Sequence, residues 1–165
     1  MIPPPAFFQY WFEHVVWADN RQLDAVRALP AVEHGKQRGF SFGTIVNVLA
    51  HQLATESIWL DRFEQTEPIW LADGLGLGSV AEIEQTWPKV HQRGREFIAS
   101  LTPQTLAEKI AVSDLPNLKS VALWKIVFHM CQHATYHRGQ LNSMIKQAGG
   151  TSVAVDFDDW VALQS

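Results

Sequence analysis

At 165 residues the chain is long enough for one well-buried core and short for two. Its net charge of −4, with no basic stripe or tail, argues against a nucleic-acid or anionic-membrane partner. The single cysteine, Cys131, excludes an internal disulfide, and no apolar run approaches membrane-spanning length. The opening stretch MIPPPAFFQYWFEH lacks the basic start of a signal peptide, so the expected location is cytoplasmic.

Four long helical stretches are expected. The first follows Pro3-Pro4-Pro5 and runs from about Ala6 to Leu29, with Phe8, Phe12, Val15, Val16, Asp19 and Leu23 at helical spacing and Pro30 as the stop. The second runs from about Phe42 to Phe63 with Ser41 as its N-cap, its inner side traced by Ile45, Val48, Leu49, Gln52, Trp59 and Phe63. The segment EPIWLADGLGLG, Glu67 to Gly78, is Gly-rich and apolar for a loop, and reads as a lid or partner surface. It is no phosphate loop, because no strand precedes it and no Lys-Ser/Thr follows. The third helix opens at Ser79 with Glu82 as a capping box and continues to about Leu101, with a kink expected at Pro88. The alternating KIAVSDL suggests a short extended segment. The fourth helix runs from about Ser120 to Ala148 and ends at Gly149-Gly150, and Phe157 to Leu163 is expected to add a short final helix. Amphipathic helices with few strand signals give an all-α four-helix bundle, one domain over residues 1–165.

The fourth helix carries the chemistry. His129, His133 and His137 follow one another at four-residue spacing. Each residue turns a helix by about 100° and advances it about 1.5 Å, so adjacent members lie roughly 40° and 6 Å apart. That suits two ligands of one ion, whereas the roughly 12 Å from His129 to His137 is too long. His137 falls within the apolar arc formed by Leu123, Ile126, Val127, Met130, Ala134, Leu141, Met144 and Ile145. His133 lies at its edge and His129 outside it, so His133 and His137 are the expected pair. A bundle-core site also needs a ligand from a facing helix, and His51 is the choice, with His14 and His91 as rivals. Three histidines on two helices leave open positions, the pattern of a catalytic centre, and neutral imidazoles suit zinc, nickel, iron or copper. Gln140 lies near the ligand direction, a place from which it can orient a ligand. Glu56, His129 and Tyr136 are further candidates for that role, while Arg138 turns away from the ligand face and reads as structural. Cys131 points to nearly the opposite side from His133. No H-E-x-x-H, G-x-S-x-G or C-x-x-C-H motif occurs, which argues against a zincin protease, a serine hydrolase and a c-type haem protein.

The segment HMCQHATYHRGQLNSMIKQAGG resembles the signature of the DinB/YfiT-like metalloenzyme family, a histidine, three residues and then His-Arg-Gly-Gln; here these are His133, His137, Arg138, Gly139 and Gln140. The second-helix pattern of that family is matched by His51, Leu53, Ala54, Glu56, Trp59, Leu60 and Arg62, with the spacing after His51 differing by one residue. Trp17-Ala18-Asp19-Asn20 matches a first-helix motif loosely, with Asp19 where the pattern has asparagine. The resemblance implies an up-down-down-up bundle, a divalent metal on His51, His133 and His137, and a homodimer. It also implies a small-molecule substrate and, in some relatives, a low-molecular-weight thiol such as bacillithiol or mycothiol. Two functions are therefore expected to compete: a metal-dependent enzyme that activates a thiol or water, of transferase or hydrolase type, and a non-enzymatic stress-related bundle that binds metal or ligand.

Overall fold

The computed structural model describes residues 1–64, 76–111 and 120–164. Its elements in chain order are α1 (Pro5–Arg27), α2 (Ala31–His34), α3 (Ile45–Phe63), α4 (Val80–Ala99), α5 (Pro103–Ala107), β1 (Lys109–Ala111), β2 (Ser120–Ala122), α6 (Leu123–Gln147) and α7 (Phe157–Ala162). The expected all-α bundle is what forms, with α1, α3, α4 and α6 as its long members.

Local chemistry accounts for most helix ends. Pro5 occupies the first turn of α1, where its missing N–H leaves no hydrogen bond unmade. Ser79 accepts the Glu82 N–H, and Glu82 reaches back to the Ser79 hydroxyl and the Gly78 N–H, so α4 starts on the reciprocal cap expected of it. Pro88 lies inside α4. The end of α6 is a complete Schellman motif: Gly149, at φ 84°, donates to Lys146 O, and Gly150 donates to Ile145 O at 2.9 Å.

Two boundaries differ from expectation. Ser41 does not cap the second long helix. Gly43, at φ 81°, turns the chain once more, and Thr44 becomes the cap, its side chain accepting the Asn47 N–H. Residues 120–122, expected to begin the last helix, pair antiparallel with residues 109–111 instead, with Ile110 opposite Val121. The Leu123 N–H then bonds to Glu108 O at 2.8 Å, so a small hairpin supplies the start of α6 that no side-chain cap provides. Of the extended stretch expected in KIAVSDL, residues 109–111 form the first of these strands, and the rest lies outside the described residues. Most of the apolar Glu67–Gly78 segment lies outside the described residues.

Paired contacts fix the helix directions. Glu13 meets Arg95 and Arg27 meets Glu84, so α1 and α4 are antiparallel. Trp11 packs on Phe128 and Asp19 meets Arg138, so α1 and α6 are parallel. Glu56 bonds to Trp87 and Asp61 to Arg93, making α3 and α4 parallel, while His51 with His137 and Trp59 with His129 make α3 and α6 antiparallel. The result is the up-down-down-up arrangement, with α1 and α3 on one diagonal and α4 and α6 on the other.

Apolar packing fills both halves of the bundle. One cluster joins Leu49, Leu53, Ile83, Trp87, Leu141 and Met144; the other joins Phe8, Phe12, Trp59, Ile98, Val127 and Met130. Phe12 presses its ring directly on the α4 backbone at Gly94, where a Cβ would overlap Phe12 Cζ. Gly94→Ala is therefore expected to destabilise the fold by roughly 1–3 kcal/mol through overpacking, against a helix-propensity gain of about 1 kcal/mol. Thermal or urea unfolding checks this, and a variant as stable as the native chain would show that the Phe12 ring yields.

Candidate metal centre

α3 and α6 run antiparallel, and this brings His51 opposite the His133/His137 pair. Ligand-type nitrogens of the three lie within 4.8 Å of one another. His133 Nε2 and His137 Nε2 are 3.0 Å apart, and the His51 ring centroid is 4.7 Å from that of His137 and 5.3 Å from that of His133. His137 is buried; His51 and His133 are partly so. Of the rivals, His14 Nε2 donates to Val155 O and ties down the C-terminal segment, and His91 lies elsewhere in the core.

Hydrogen bonding selects the tautomer. His137 Nδ1 lies 2.8 Å from Gln140 Oε1, and with Nδ1–H donating there, Nε2 keeps its lone pair for a ligand bond. Ser41 donates to the same oxygen at 2.7 Å. The turn that displaced the expected cap thus has a use. Ser41, at φ 52°, and the neighbouring Phe42 come down over the histidines, and Phe42 stacks on His51 at 4.0 Å between centroids. Neither residue stands out in the sequence as part of a site, because only the fold of the Gly39–Gly43 turn aims them there. Gly39 at φ 71° and Gly43 at φ 81° are the only hint of that turn.

The histidines are held neutral. Burial, reinforced by His137 and His51, depresses His133 to about 3, and burial with His137 alongside depresses His51 to about 4. His137 is lowered by burial too, against the opposing hydrogen bond it donates to Gln140. Metal binding needs unprotonated imidazole, so these three fit a divalent ion at neutral pH without first shedding protons.

A model of the DinB family matches residues 6–164. The chain belongs to the DinB family. It is 24% identical over 155 residues to Protein DinB of Bacillus subtilis (strain 168), covering 88% of each protein. Its fold resembles the crystal structure of a DinB-like protein from Bacillus cereus ATCC 10987, with a TM-score of 0.68 at 16% identity over 88% of this chain and 95% of that one. In this DinB-family chain, no described helix is long and apolar enough to cross a membrane.

The remaining candidates are placed around the centre or away from it. His129 packs edge-on against Trp59 and at a tilt against His133, 5.5 Å from the latter's centroid, and stays outside the three-histidine group. Tyr136 is exposed, its ring 5.1 Å from that of His137. Glu56 does not contact His51. It turns inward to accept the Trp87 indole N–H at 3.0 Å, in a second polar cluster with Asp19 and His91. Burial, then the neighbouring Asp19, holds its carboxyl well above the usual carboxylate range. Arg138 is buried, spanning Asp19 and Thr135, in keeping with its direction on the helix. Cys131 is fully buried, and burial pushes its thiol up, which leaves it inert as a nucleophile.

Two outcomes are expected. An imidazole that protonates less readily in the folded than in the unfolded chain stabilises above its ordinary pKa of 6.5, and that stability is lost as pH falls toward the folded value. In chelator-treated protein, His133→Gln should lose less stability than the native chain between pH 7 and pH 5; equal losses by thermal melting would contradict the neutral assignment. Gln140→Leu should weaken metal binding about 10–100-fold by freeing the His137 tautomer, as measured by titration with zinc.

Proposed function

We propose that this DinB-family protein is a metal-dependent enzyme whose centre is one divalent transition ion on His51, His133 and His137. The observation that carries the reading is the convergence of three neutral imidazoles from two helices, with His137 oriented by Gln140 and Ser41. An ion held by three protein nitrogens retains open coordination positions, and zinc, nickel or iron suits this donor set. When bound, it would supply Lewis acidity that lowers the pKa of a coordinated thiol or water and yields a nucleophile at neutral pH.

The chain's own residues do the rest. Gln140 and Ser41 fix the His137 ring, Phe42 covers one face of His51, and His129 and Tyr136 lie beside His133 and His137 on α6. The expected reaction is transfer to an electrophile, with a low-molecular-weight thiol giving S-transfer and water giving hydrolysis. The thiol rests on the family resemblance. A small-molecule substrate, a cytoplasmic setting and a homodimer belong to the same reading, and sedimentation tests the last.

His133→Ala should lose one equivalent of metal per chain relative to the native protein by elemental analysis, with the same loss in His51→Ala and His137→Ala. Full occupancy in His133→Ala would overturn the assignment. With cobalt(II) in the centre, added thiol should change the visible absorption. A bound ion that no thiol or small anion perturbs would instead favour the non-enzymatic metal-binding bundle.

A further inference from the structure

A second set of ligand-type atoms converges in the middle of the bundle, apart from the histidine centre. Asp19 on α1, Glu56 on α3 and His91 on α4 are 1%, 3% and 3% exposed, and one donor atom of each lies within 4.8 Å of the others. His91 Nε2 is 3.5 Å from Asp19 Oδ2 and 3.7 Å from Glu56 Oε2. Both distances exceed the roughly 2.7–3.2 Å of a hydrogen bond to nitrogen. They lie within about 0.1 Å of the spacing of about 3.3–3.6 Å between ligand atoms held tetrahedrally at 2.0–2.2 Å from one ion.

Of the atoms in the cluster, several make no hydrogen bond as acceptors or donors to other groups. Asp19 Oδ2 and His91 Nε2 have no hydrogen bond, nor has Glu56 Oε1. A buried polar atom left unpaired costs about 1–3 kcal/mol; a proton shared between Glu56 and Asp19 would satisfy their two oxygens but leaves His91 Nε2 without a partner, whereas an ion bound among the three would satisfy all of them. The remaining donors and acceptors are committed in ways that orient the carboxylates. Asp19 Oδ1 accepts from Gln52 at 2.6 Å and faces Arg138 at 3.4 Å, and Glu56 Oε2 accepts from Trp87.

We propose that Asp19, Glu56 and His91 form a second divalent-metal site, for a first-row transition ion such as zinc, with one ligand from each of three helices. Because all three ligands are sealed in the core, the site is structural: the ion ties α1, α3 and α4 together where apolar contacts are interrupted by polar groups. The inference stands independently of the reaction proposed for the three histidines.

The test uses the full chain loaded with zinc, desalted and analysed for metal. The native protein should hold two ions. The His51→Ala/His133→Ala double variant, which lacks the histidine centre, should hold one, and adding Asp19→Asn should remove it. His91→Gln in the same background provides a second conservative change, with circular dichroism to confirm that each variant is folded. Chelator should lower the unfolding temperature of the double variant and leave that of its Asp19→Asn derivative unmoved. Absence of metal from the folded double variant overturns the proposal, as does an ion that survives both Asp19→Asn and His91→Gln; such an ion would be adventitious, with the exposed Asp156, Asp158 and Asp159 as its natural holders. One ion in the native chain, lost in the double variant, leaves the histidine centre intact and refutes this site. One ion kept in the double variant and lost with Asp19→Asn does the reverse.

Discussion

The arrangement turns on a buried ion pair. Asp19 and Arg138 face each other at 3.4 Å with side chains 0% and 2% exposed, and each is held by further groups. Gln52 donates to Asp19, Thr135 accepts from Arg138, and Gln22 donates to the Arg138 carbonyl. Removing two charges from water carries a desolvation penalty that attraction alone does not reliably offset, so such a pair is stable only where its geometry is filled out by other hydrogen bonds. Here the fillers come from α1, α3 and α6, and the pair therefore specifies how those helices are rotated about their axes as much as it holds them together. The apolar clusters above and below contribute most of the burial, but apolar contacts tolerate rotation and sliding far better than this network does.

That rotation is what makes the histidine centre. Arg138 follows His137 directly, about 100° round the helix. With Arg138 anchored toward α1, His137 and His133 are turned toward α3, where His51 waits. Gln140, one turn beyond His137, then lies under the Ser41 turn. A metal-binding constellation of this kind needs ligands positioned by rigid elements and a supporting layer of hydrogen bonds. Both are present, and both trace back to the same core contact.

Much of this was legible in the sequence because it is local. The capping box at Ser79 and Glu82, the Schellman close at Gly149-Gly150 and the apolar arcs depend on residues a few positions apart, and the all-α bundle follows from them. The i, i+4 spacing of His133 and His137 likewise put both on one face before any tertiary information. What was not legible depends on distant or turn-specific geometry. Ser41 looked like a cap because its residue type suits one, yet the positive φ of Gly43 moved the cap to Thr44 and gave Ser41 to Gln140. The β1–β2 pairing replaces the start of the last helix because Glu108 and Leu123, fifteen positions apart, meet. Asp19, Glu56 and His91 stand out in the sequence only one at a time, Glu56 as a support for a ligand and His91 as a rival ligand of the other centre, and their convergence becomes visible only when three helices are fixed in relative rotation and height.

The adjacency of His137 and Arg138 has a consequence for how such a chain can change. α6 serves two polar interiors from neighbouring positions, the imidazoles on one flank and the guanidinium on the other. Inserting or deleting one residue in the turns around them would swing both flanks out of place together, and no compensating shift elsewhere restores one without losing the other. Divergence here must proceed by exchanging side chains at fixed positions, while the length of α6 between Thr135 and Gln140 stays invariant. Connections that touch neither flank, unlike the turn bearing Ser41 and Phe42, are free of that constraint.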